Sequence, residues 1–359
     1  MNLNSNQSRN SYLFLRHLLA FLVLLSHVFG STTGYGEIKI GKFSLGTLAV
    51  YCFFTVSGFL VIPGLLNNGL NRYLLNRFVR VYPGYLLTLL ITSVFIYPIW
   101  RFQSHVNIFD WPTSIFYILE NLILMPQGAT DINSSWNSLS GYPFLSSHPS
   151  LVNGSIWTLP LEISAYLFLG FLYAFGVIFK TFKFKRVVKF SFVALWAISI
   201  ISANIFPSLD VKHYSQIEQL LTKWPYFLSF LTGAVLRLVN FKSLSRIKVY
   251  FLLFIVAISC QSIILWAVIG LCSLCILILH IGNSSVFIRY NKFRDISYGI
   301  YLYHFPVIQI LEGFEIFDGR LGLNLFFTFL ITIIFAYLSS RIVESPCQSY
   351  VKKRLDRNR

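Results

Sequence analysis

Long apolar stretches follow one another along almost the whole chain and are separated by short polar segments. Each stretch is, at about 20 residues, long enough to cross the hydrocarbon core of a bilayer as a helix. The pattern therefore predicts an all-α, polytopic membrane protein with about ten transmembrane helices, in a single domain that covers residues 1–359. The predicted spans are residues 12–30, 43–66, 82–102, 159–179, 187–206, 224–240, 250–265, 266–282, 296–312 and 321–343.

The segment of residues 250–282 has two interpretations, either two short spans joined near residues 261–266 or one overlong helix. One helix would divide the basic residues almost evenly between the two sides of the membrane. Two spans place most Lys and Arg side chains on one side, which the positive-inside rule identifies as cytoplasmic. We therefore predict two spans and cytoplasmic N and C termini. The outer segments then hold only these Lys and Arg residues: Lys39, Lys42, Arg101, Lys212, Lys223 and Arg320.

Composition agrees with a membrane protein. Hydrophobic residues make up 55% of the 359 positions and charged residues 12%, a balance that soluble domains do not show. The formal net charge of +16 would suggest a nucleic acid partner for a soluble chain. Here the basic residues collect at one membrane surface, so we expect membrane lipid and no nucleic acid around the protein. The five cysteines lie in or beside predicted spans, and neither a disulfide framework nor a metal site is predicted.

The first predicted helix carries Arg16 near its start and His27 near its end. Their separation of 11 positions is about three helical turns, so they share one face and differ in depth by about 16 Å. Since either side chain would be costly against hydrocarbon, we expect both to face a polar cavity. Arg16 would then be a fixed charge near one membrane surface, and His27 a titratable base near the other.

Two further polar side chains are expected beside this cavity. Ser57 lies in the stretch FFTVSGF of the second predicted helix, where Ser57 and Gly58 would let another helix approach closely, either at the cavity or in plain helix packing. Glu162 follows the stretch SIWTLPL and lies about one turn inside the fourth predicted helix, at a depth compatible with His27. It would orient the His27 imidazole. A structural pair with Arg or His is the alternative.

Three arginines mark the cytoplasmic mouth of the third predicted helix. Arg77 and Arg80 are spaced as i and i+3 and so lie on one helical face, with Arg72 nearby. Their guanidinium groups match phosphate oxygens in a bidentate manner. They are candidates for binding an anionic cofactor. Ordinary positive-inside basicity or contact with lipid headgroups is the alternative.

The ninth predicted helix has a polar face. Ser297, Tyr301 and His304 follow one another at i, i+4 and i+7. Pro306 frees the carbonyl group of Leu302 from its helical hydrogen bond, which predicts a kink near the middle of the membrane. Tyr301 and His304 would line the cavity. A hydrogen-bonded core histidine is the alternative for His304.

The long outer segment of residues 101–155 is rich in Ser, Asn, Pro and Trp and nearly lacks basic residues. A loop of this length is unusual unless it binds a ligand or covers a site. Aromatic and amide side chains in and just after it would stack on sugars, or would form an aromatic belt at the membrane interface. These side chains are Asn133, Trp136, Asn137, Tyr142 and Trp157.

In combination, these motifs resemble the acyltransferase type 3 family of integral membrane O-acyltransferases over essentially the whole chain. The resemblance rests on the motifs R-x10-H at Arg16 and His27, FFxxSGF at residues 53–59, RxxR at Arg77 and Arg80, a WxLxxE-like stretch at residues 157–162, YGIYLYHxP at residues 298–306 and ExP at residues 344–346. The order of the motifs and their placement on the predicted helices make the combination specific.

The resemblance implies a stand-alone O-acyltransferase of the bacterial inner membrane, without an SGNH hydrolase-like domain. It implies acetyl-CoA as the usual acyl-CoA donor. The acceptor would be an envelope or surface polysaccharide, such as O-antigen of lipopolysaccharide, capsule or a lipid-linked oligosaccharide, including polyprenyl-linked forms. The arginines at the cytoplasmic mouth would hold the nucleotide while the thin pantetheine arm reaches toward His27. His27 would act as a general base on the acceptor hydroxyl or would carry the acyl group itself.

A transporter or flippase of a lipid-linked sugar or a related anion is the alternative from another class of protein. Arg16, His27 and Glu162 would then form a substrate or proton path. The sequence shows no inverted internal repeat, although transporters often have one. A scaffold in a polysaccharide assembly complex is a third alternative, and it would tolerate the loss of His27. The oligomeric state is left open.

Overall fold

The computed structural model describes residues 10–99, 111–122, 153–178, 183–205, 215–241, 244–317 and 319–357. These residues fold almost entirely into helices, so the predicted all-α class is confirmed. The strands among them form one short hairpin, in which Lys39–Ile40 (β1) pairs antiparallel with Phe43–Ser44 (β2).

Each predicted span falls largely on one of the observed helices. Their bounds are α1 Tyr12–Thr33, α2 Leu45–Ile91 with a π-helical continuation at Thr92–Ile96, α3 Trp111–Leu122, α4 Thr158–Ile178, α5 Phe184–Ile205, α6 Ser215–Leu238, α7 Arg246–Ser259, α8 Ile263–Asn283, α9 Ser297–Gly313, α10 Leu321–Ser339 with a π-helical continuation at Ser340–Glu344, and α11 Ser345–Arg357.

Five helices of the described residues are long and apolar enough to cross a membrane. They are Tyr12–Thr33, Leu45–Ile99, Thr158–Ile178, Ile263–Asn283 and Leu321–Arg357. The second of these has 55 residues, far more than one crossing of roughly 30 Å requires. It is broken at Gly69, where φ is 74° and ψ is 176°. The number of about ten crossings stays a prediction.

The segment of residues 250–282 is not one continuous helix. α7 ends at Ser259 and α8 begins at Ile263, so the chain breaks at the start of the predicted junction. The β-hairpin packs against this break, because the backbone N–H of Lys42 donates to the carbonyl oxygen of Cys260 at 2.8 Å. This contact occupies a carbonyl group that the end of α7 leaves free.

The chain divides into two compact units. The first unit consists of Met1–Leu19, Lys39–Leu74 and Leu161–Arg294, and the second of Ala20–Ile38, Leu75–Pro160 and Asp295–Arg359. α1, α2 and α4 therefore contribute residues to both units.

In the first unit, α2 and α6 pack backbone to backbone. A Cβ atom added at Gly58 would lie 1.9 Å from the carbonyl oxygen of Phe230, and one added at Gly233 would lie 2.1 Å from that of Thr55. Only glycine fits at such contacts. The close approach predicted at Gly58 is therefore confirmed, and its partner is a neighbouring helix.

In the second unit, α9 is the buried element. Its residues from Gly299 to Ile308 are all buried, and a Cβ atom added at Gly299 would lie 2.7 Å from the Cα atom of Ala336 in α10. The Tyr298 hydroxyl donates to the carbonyl oxygen of Val81 in α2 at 2.7 Å. α9 is thus held on two sides, which fixes the polar side chains that it presents.

Candidate active site

Two histidines face each other in the second unit. His27 lies in α1 and His304 in α9, and the His27 Nδ1 atom is 2.8 Å from the His304 Nε2 atom. Their rings stack, with centroids 5.1 Å apart and planes inclined by 16°. His304 is fully buried, whereas 15% of the His27 side chain is exposed. The structure thus brings together two histidines that come from separate sequence motifs, and His27 is the more accessible of the two.

The hydrogen bonds of His304 define where the protons of this pair lie. His304 Nδ1 is 3.0 Å from the carbonyl oxygen of Ile300, which can only accept, so Nδ1 carries a proton. Full burial favours the neutral imidazole, in which Nε2 is an acceptor. His27 Nδ1 then donates to His304, and a neutral His27 has its lone pair on Nε2. This tautomer is assigned from the hydrogen-bond network.

A buried turn before α4 packs against α9 next to the histidines. Pro306 has no N–H, so the carbonyl group of Leu302 lacks its helical donor, as predicted. Asn153 Nδ2 donates to this carbonyl at 3.0 Å, and Asn153 Oδ1 accepts from the backbone N–H of Ser155 at 3.0 Å. The proline therefore creates the attachment point for the turn.

Two hydroxyl groups, one from this turn and one from the first residue of α4, meet the predicted polar face of α9. Ser155 Oγ lies 3.3 Å from His304 Nε2, and Thr158 Oγ1 lies 2.6 Å from the Tyr301 hydroxyl. All four side chains are buried. His304 is thus hydrogen-bonded inside the protein, as its alternative interpretation expects, and it also contacts His27. Tyr301 belongs to the wall beside it.

A carboxylate lies near the other nitrogen of the His27 ring. Glu37 Oε1 is 3.7 Å from His27 Nε2, and 24% of the Glu37 side chain is exposed. Glu37 Oε2 accepts a hydrogen bond from Ser26 Oγ at 2.7 Å. We refer to His27, His304 and Glu37 as the histidine cluster.

The second unit also contains two of the predicted anion-binding arginines. Arg80 Nη2 lies 3.6 Å from Asp295 Oδ2, and these side chains are 30% and 28% exposed. Ser297 Oγ donates to Asp295 Oδ1 at 2.7 Å. Arg77 precedes Arg80 by one helical turn in α2 and is half-buried. We refer to Arg77, Arg80 and Asp295 as the arginine cluster.

A buried carboxylate from the ExP motif belongs to the same unit. Glu344 is 5% exposed and accepts a hydrogen bond from Ser339 Oγ at 2.7 Å. A Cβ atom added at Gly84 would lie 3.3 Å from Glu344 Oε1. The first residue of the motif is therefore a buried carboxylate that packs against α2.

Four further predicted site residues, Arg16, Ser57, Arg72 and Glu162, belong to the first unit. Glu162 Oε1 accepts hydrogen bonds from Ser57 Oγ at 3.2 Å and from the Tyr166 hydroxyl. Arg16 and Arg72 are half-buried in this unit. The structure thus joins Ser57 to Glu162 and adds Tyr166 as a partner. That Glu162 orients His27 stays a prediction.

The aromatic and amide side chains expected to bind sugar fall mostly outside the described residues. Trp157, in the turn that precedes α4, is 42% exposed. The remaining candidates, which lie outside the described part of the chain, are Asn133, Trp136, Asn137 and Tyr142. Among the residues that are described, no group of three or more His, Cys, Asp or Glu side chains has the arrangement to hold a metal ion.

Neither Glu37 nor Asn153 stands out as a candidate in the sequence. Glu37 lies in a short loop after α1, outside every motif, and Asn153 lies just before the WxLxxE-like stretch. The available signals were Gly34 and Gly36, which permit a chain reversal toward the end of α1, and Pro306, whose freed carbonyl group needs a donor. The glycines predict that the chain returns to α1, and Pro306 predicts a donor for the Leu302 carbonyl group. Neither signal identifies Glu37 or Asn153 as the residue involved.

Comparison with known proteins identifies the family. The acyltransferase domain family (Acyl_transf_3) matches residues 10–341, so the chain belongs to this family. It is also similar to an O-acetyl transferase of Shigella phage Sf6, with 25% identity over 320 residues that cover 82% of this chain and 84% of the relative. No solved structure matches the chain. The chain is therefore an acyltransferase, and the resemblance recognised in its motifs is confirmed.

Proposed function

We propose that the protein is a membrane O-acetyltransferase that moves an acetyl group from acetyl-CoA to a hydroxyl group of an envelope or surface polysaccharide. The observation that carries this proposal is the hydrogen-bonded pair of His27 and His304. It leaves a basic lone pair on His27 Nε2, in the partly exposed member of the pair. The Shigella phage relative, an O-acetyl transferase, supports an oxygen acceptor and an acetyl group. Membership of an acyltransferase family favours this enzyme over the transporter.

The reaction follows from that lone pair. His27 Nε2 takes the proton of the acceptor hydroxyl while the hydroxyl oxygen attacks the thioester carbonyl carbon. The tetrahedral intermediate collapses, the carbon–sulfur bond breaks, and the CoA thiolate leaves. The thiolate takes the proton from His27 Nε2, so the products are an O-acetyl ester and free CoA thiol. Positioned base catalysis of this kind contributes about 10²- to 10⁴-fold to the rate.

The acyl-CoA donor would enter from the cytoplasm. Arg77 and Arg80 would bind the nucleotide phosphates through their guanidinium groups, and the same role is proposed for Arg72 from its place in the sequence. The α9 residues Ser297 and His304 are seven positions apart, which is a rise of about 10 Å. Ser297 is hydrogen-bonded to the partner of Arg80 and His304 to the proposed base. A pantetheine arm would therefore connect the two clusters.

The acceptor would reach His27 from the outer leaflet of the bacterial inner membrane. The basic residues of the loops support this orientation, with both termini in the cytoplasm. A lipid-linked glycan, such as a polyprenyl-linked oligosaccharide, would present its hydroxyl groups at that depth. The segment of residues 101–155 and Trp157 would contact the sugar.

A single assay tests the proposed function. Purified protein is incubated with acetyl-CoA and the surface glycan of its host, and free CoA thiol and the mass of the glycan are measured. We expect one CoA thiol for each acetyl group gained by the glycan. Glycan movement across vesicles without CoA release would support a transporter and would refute the proposal. A burst of CoA release without acceptor would indicate that His27 carries the acetyl group as a covalent intermediate.

A further inference from the structure

We propose that Glu37 is a positioning residue for His27, whose carboxylate stabilises the imidazolium that forms when His27 takes the acceptor proton. This inference rests on the proposed function and adds a residue that belongs to none of the motifs of the family resemblance. It is carried by the path of the chain after α1 and by the contacts at the two carboxylate oxygens of Glu37.

The chain turns back on α1 so that Glu37 returns to His27. α1 ends at Thr33, and Gly34 and Gly36 then adopt left-handed φ values of 69° and 80°. Side chains at these two positions would strain the reversal. The returning backbone packs on Gly30, where an added Cβ atom would lie 3.1 Å from the backbone nitrogen of Glu37. Three glycines thus shape the reversal that places this carboxylate.

The Glu37 side chain is held by the residue that precedes the proposed base. Ser26 is fully buried, and its hydroxyl donates to Glu37 Oε2 at 2.7 Å. The other oxygen, Oε1, is left 3.7 Å from His27 Nε2. A carboxylate anchored through one oxygen and directed at the base through the other is a preorganised arrangement, because its position is set before the reaction.

The distance fits the chemistry of the two states of His27. With its lone pair on Nε2, neutral His27 has no proton to share with Glu37, and 3.7 Å is longer than a hydrogen bond. When Nε2 takes the proton of the acceptor hydroxyl, it becomes an N–H donor with positive charge beside an anion. In this partly buried site the attraction is stronger than in water. Glu37 therefore favours the state that develops during acyl transfer over the resting state.

The first test removes the negative charge of Glu37 and keeps the shape of its side chain. Glu37→Gln retains an oxygen that accepts from Ser26 and removes the negative charge near Nε2. We expect kcat for acetyl transfer to the glycan to fall by at least about tenfold, a part of the 10²- to 10⁴-fold that a positioned base contributes. The KM values for acetyl-CoA and for the glycan should change by less than about twofold, because the new interaction exists only during the reaction.

Two further variants separate positioning from folding. Glu37→Asp keeps the charge but shortens the side chain by one methylene group, so its kcat should lie between those of wild type and Glu37→Gln. Glu315→Gln, the same change at an exposed carboxylate after α9, serves as the matched control and should leave kcat unchanged. The thermal unfolding midpoint is measured for each variant, because a purely structural role would lower stability without this order of kcat values.

The outcomes separate this inference from the proposed function. An unchanged kcat in Glu37→Gln would overturn the inference while wild-type acetyl transfer continued to support the enzyme. A rise in the KM for the glycan alone would overturn it too, since Glu37 would then bind the acceptor. Loss of kcat that is equal in Glu37→Asp and Glu37→Gln and that follows the fraction of folded protein would assign Glu37 to folding. Absence of acetyl transfer in wild type would refute the proposed function itself.

Discussion

The histidine cluster and the arginine cluster of the second unit are built in opposite ways. In the histidine cluster, His304 is fully buried, and its Nδ1 and Nε2 atoms have partners at 3.0 and 2.8 Å. In the arginine cluster, Arg80 and Asp295 are 3.6 Å apart and remain 30% and 28% exposed. The arrangement of the histidine cluster fixes one tautomer of His27. That of the arginine cluster is a partly solvated ion pair, which contributes little to stability and which a competing anion can replace.

This difference between the two clusters matches the two tasks of the proposed reaction, base catalysis and donor binding. A base must be aligned before the reaction, so its partners are buried and its geometry is closed. A binding site for a soluble polyanion must exchange its ligand in every cycle, so its charges stay near water. Substitutions in the histidine cluster should therefore lower kcat, whereas substitutions in the arginine cluster should alter donor affinity.

The largest effect is expected at His27. His27→Ala removes the base and should lower acetyl transfer by about 10²- to 10⁴-fold, while the protein is still expressed and inserted in the membrane. Transfer is measured as acetyl gained by the glycan. Retention of more than roughly a tenth of the activity, a smaller loss than base catalysis implies, would move the catalytic role elsewhere, with His304 as the next candidate. A scaffold would also tolerate this change.

The second prediction concerns the tautomer of His27. His304→Ala removes the acceptor for Nδ1, so His27 would populate the wrong tautomer, and kcat should fall by about 100-fold or more. His304→Gln can keep an acceptor oxygen near the former Nε2 position and should recover part of this loss. Steady-state kinetics with the purified variants measures both values of kcat. Equal losses in both variants, accompanied by a lower unfolding midpoint, would mean that His304 serves packing alone.

These two predictions use residues that were recognisable from the sequence. His27 stood out because a basic residue in an apolar helix needs a polar environment, and His304 because it shares a helical face with Tyr301. The apolar periodicity likewise located the helices, and Pro306 indicated a carbonyl group in need of a donor. Each of these features belongs to a single helix, so the order of residues along the sequence is enough to predict it.

The contacts that complete both clusters were not recognisable in this way. Glu37 reaches His27 only through the chain reversal at Gly34 and Gly36, and Asp295 meets Arg80 from a distant part of the chain. Depth within a predicted helix suggested Glu162 for the carboxylate beside His27. The structure shows Glu162 with Ser57 and Tyr166, and Glu37 near His27 Nε2. Spacing along a helix predicts the depth of a side chain, whereas the loop after α1 brings Glu37 to the His27 ring, and the role of Glu162 stays a prediction.

The third prediction tests donor binding at the arginine cluster. Arg80→Ala should weaken acetyl-CoA binding by at least about tenfold, since a charge-assisted hydrogen bond contributes about 1.5–3 kcal/mol. Arg80→Lys keeps the charge but loses the planar fork, so its affinity should lie between those of wild type and Arg80→Ala. Binding of the acceptor glycan should be unchanged. Calorimetry on detergent-purified protein measures both affinities.

A matched control for this prediction lies at the end of the chain. Arg354 is exposed in α11, so Arg354→Ala removes the same charge without touching the arginine cluster and should leave acetyl-CoA affinity unchanged. The double variant with Arg77→Ala and Arg80→Ala is the decisive one. Undiminished acetyl-CoA affinity in it would mean that the pair only sets membrane orientation.

The smallest effect is expected from Asp295, and it has the opposite sign. Asp295 pairs with Arg80 at 3.6 Å, so Asp295→Asn should remove one competitor of the phosphate for this guanidinium group and strengthen acetyl-CoA binding. An exposed ion pair contributes about 0.2–1 kcal/mol, which corresponds to about 1.5- to 5-fold in affinity. The gain should shrink as salt is raised, because screening weakens the competing pair in the wild type. Asp356→Asn, at an exposed position of α11, is the control for charge. Weaker binding in Asp295→Asn would show instead that Asp295 orients Arg80 for the phosphate, which would make the arginine cluster as preorganised as the histidine cluster.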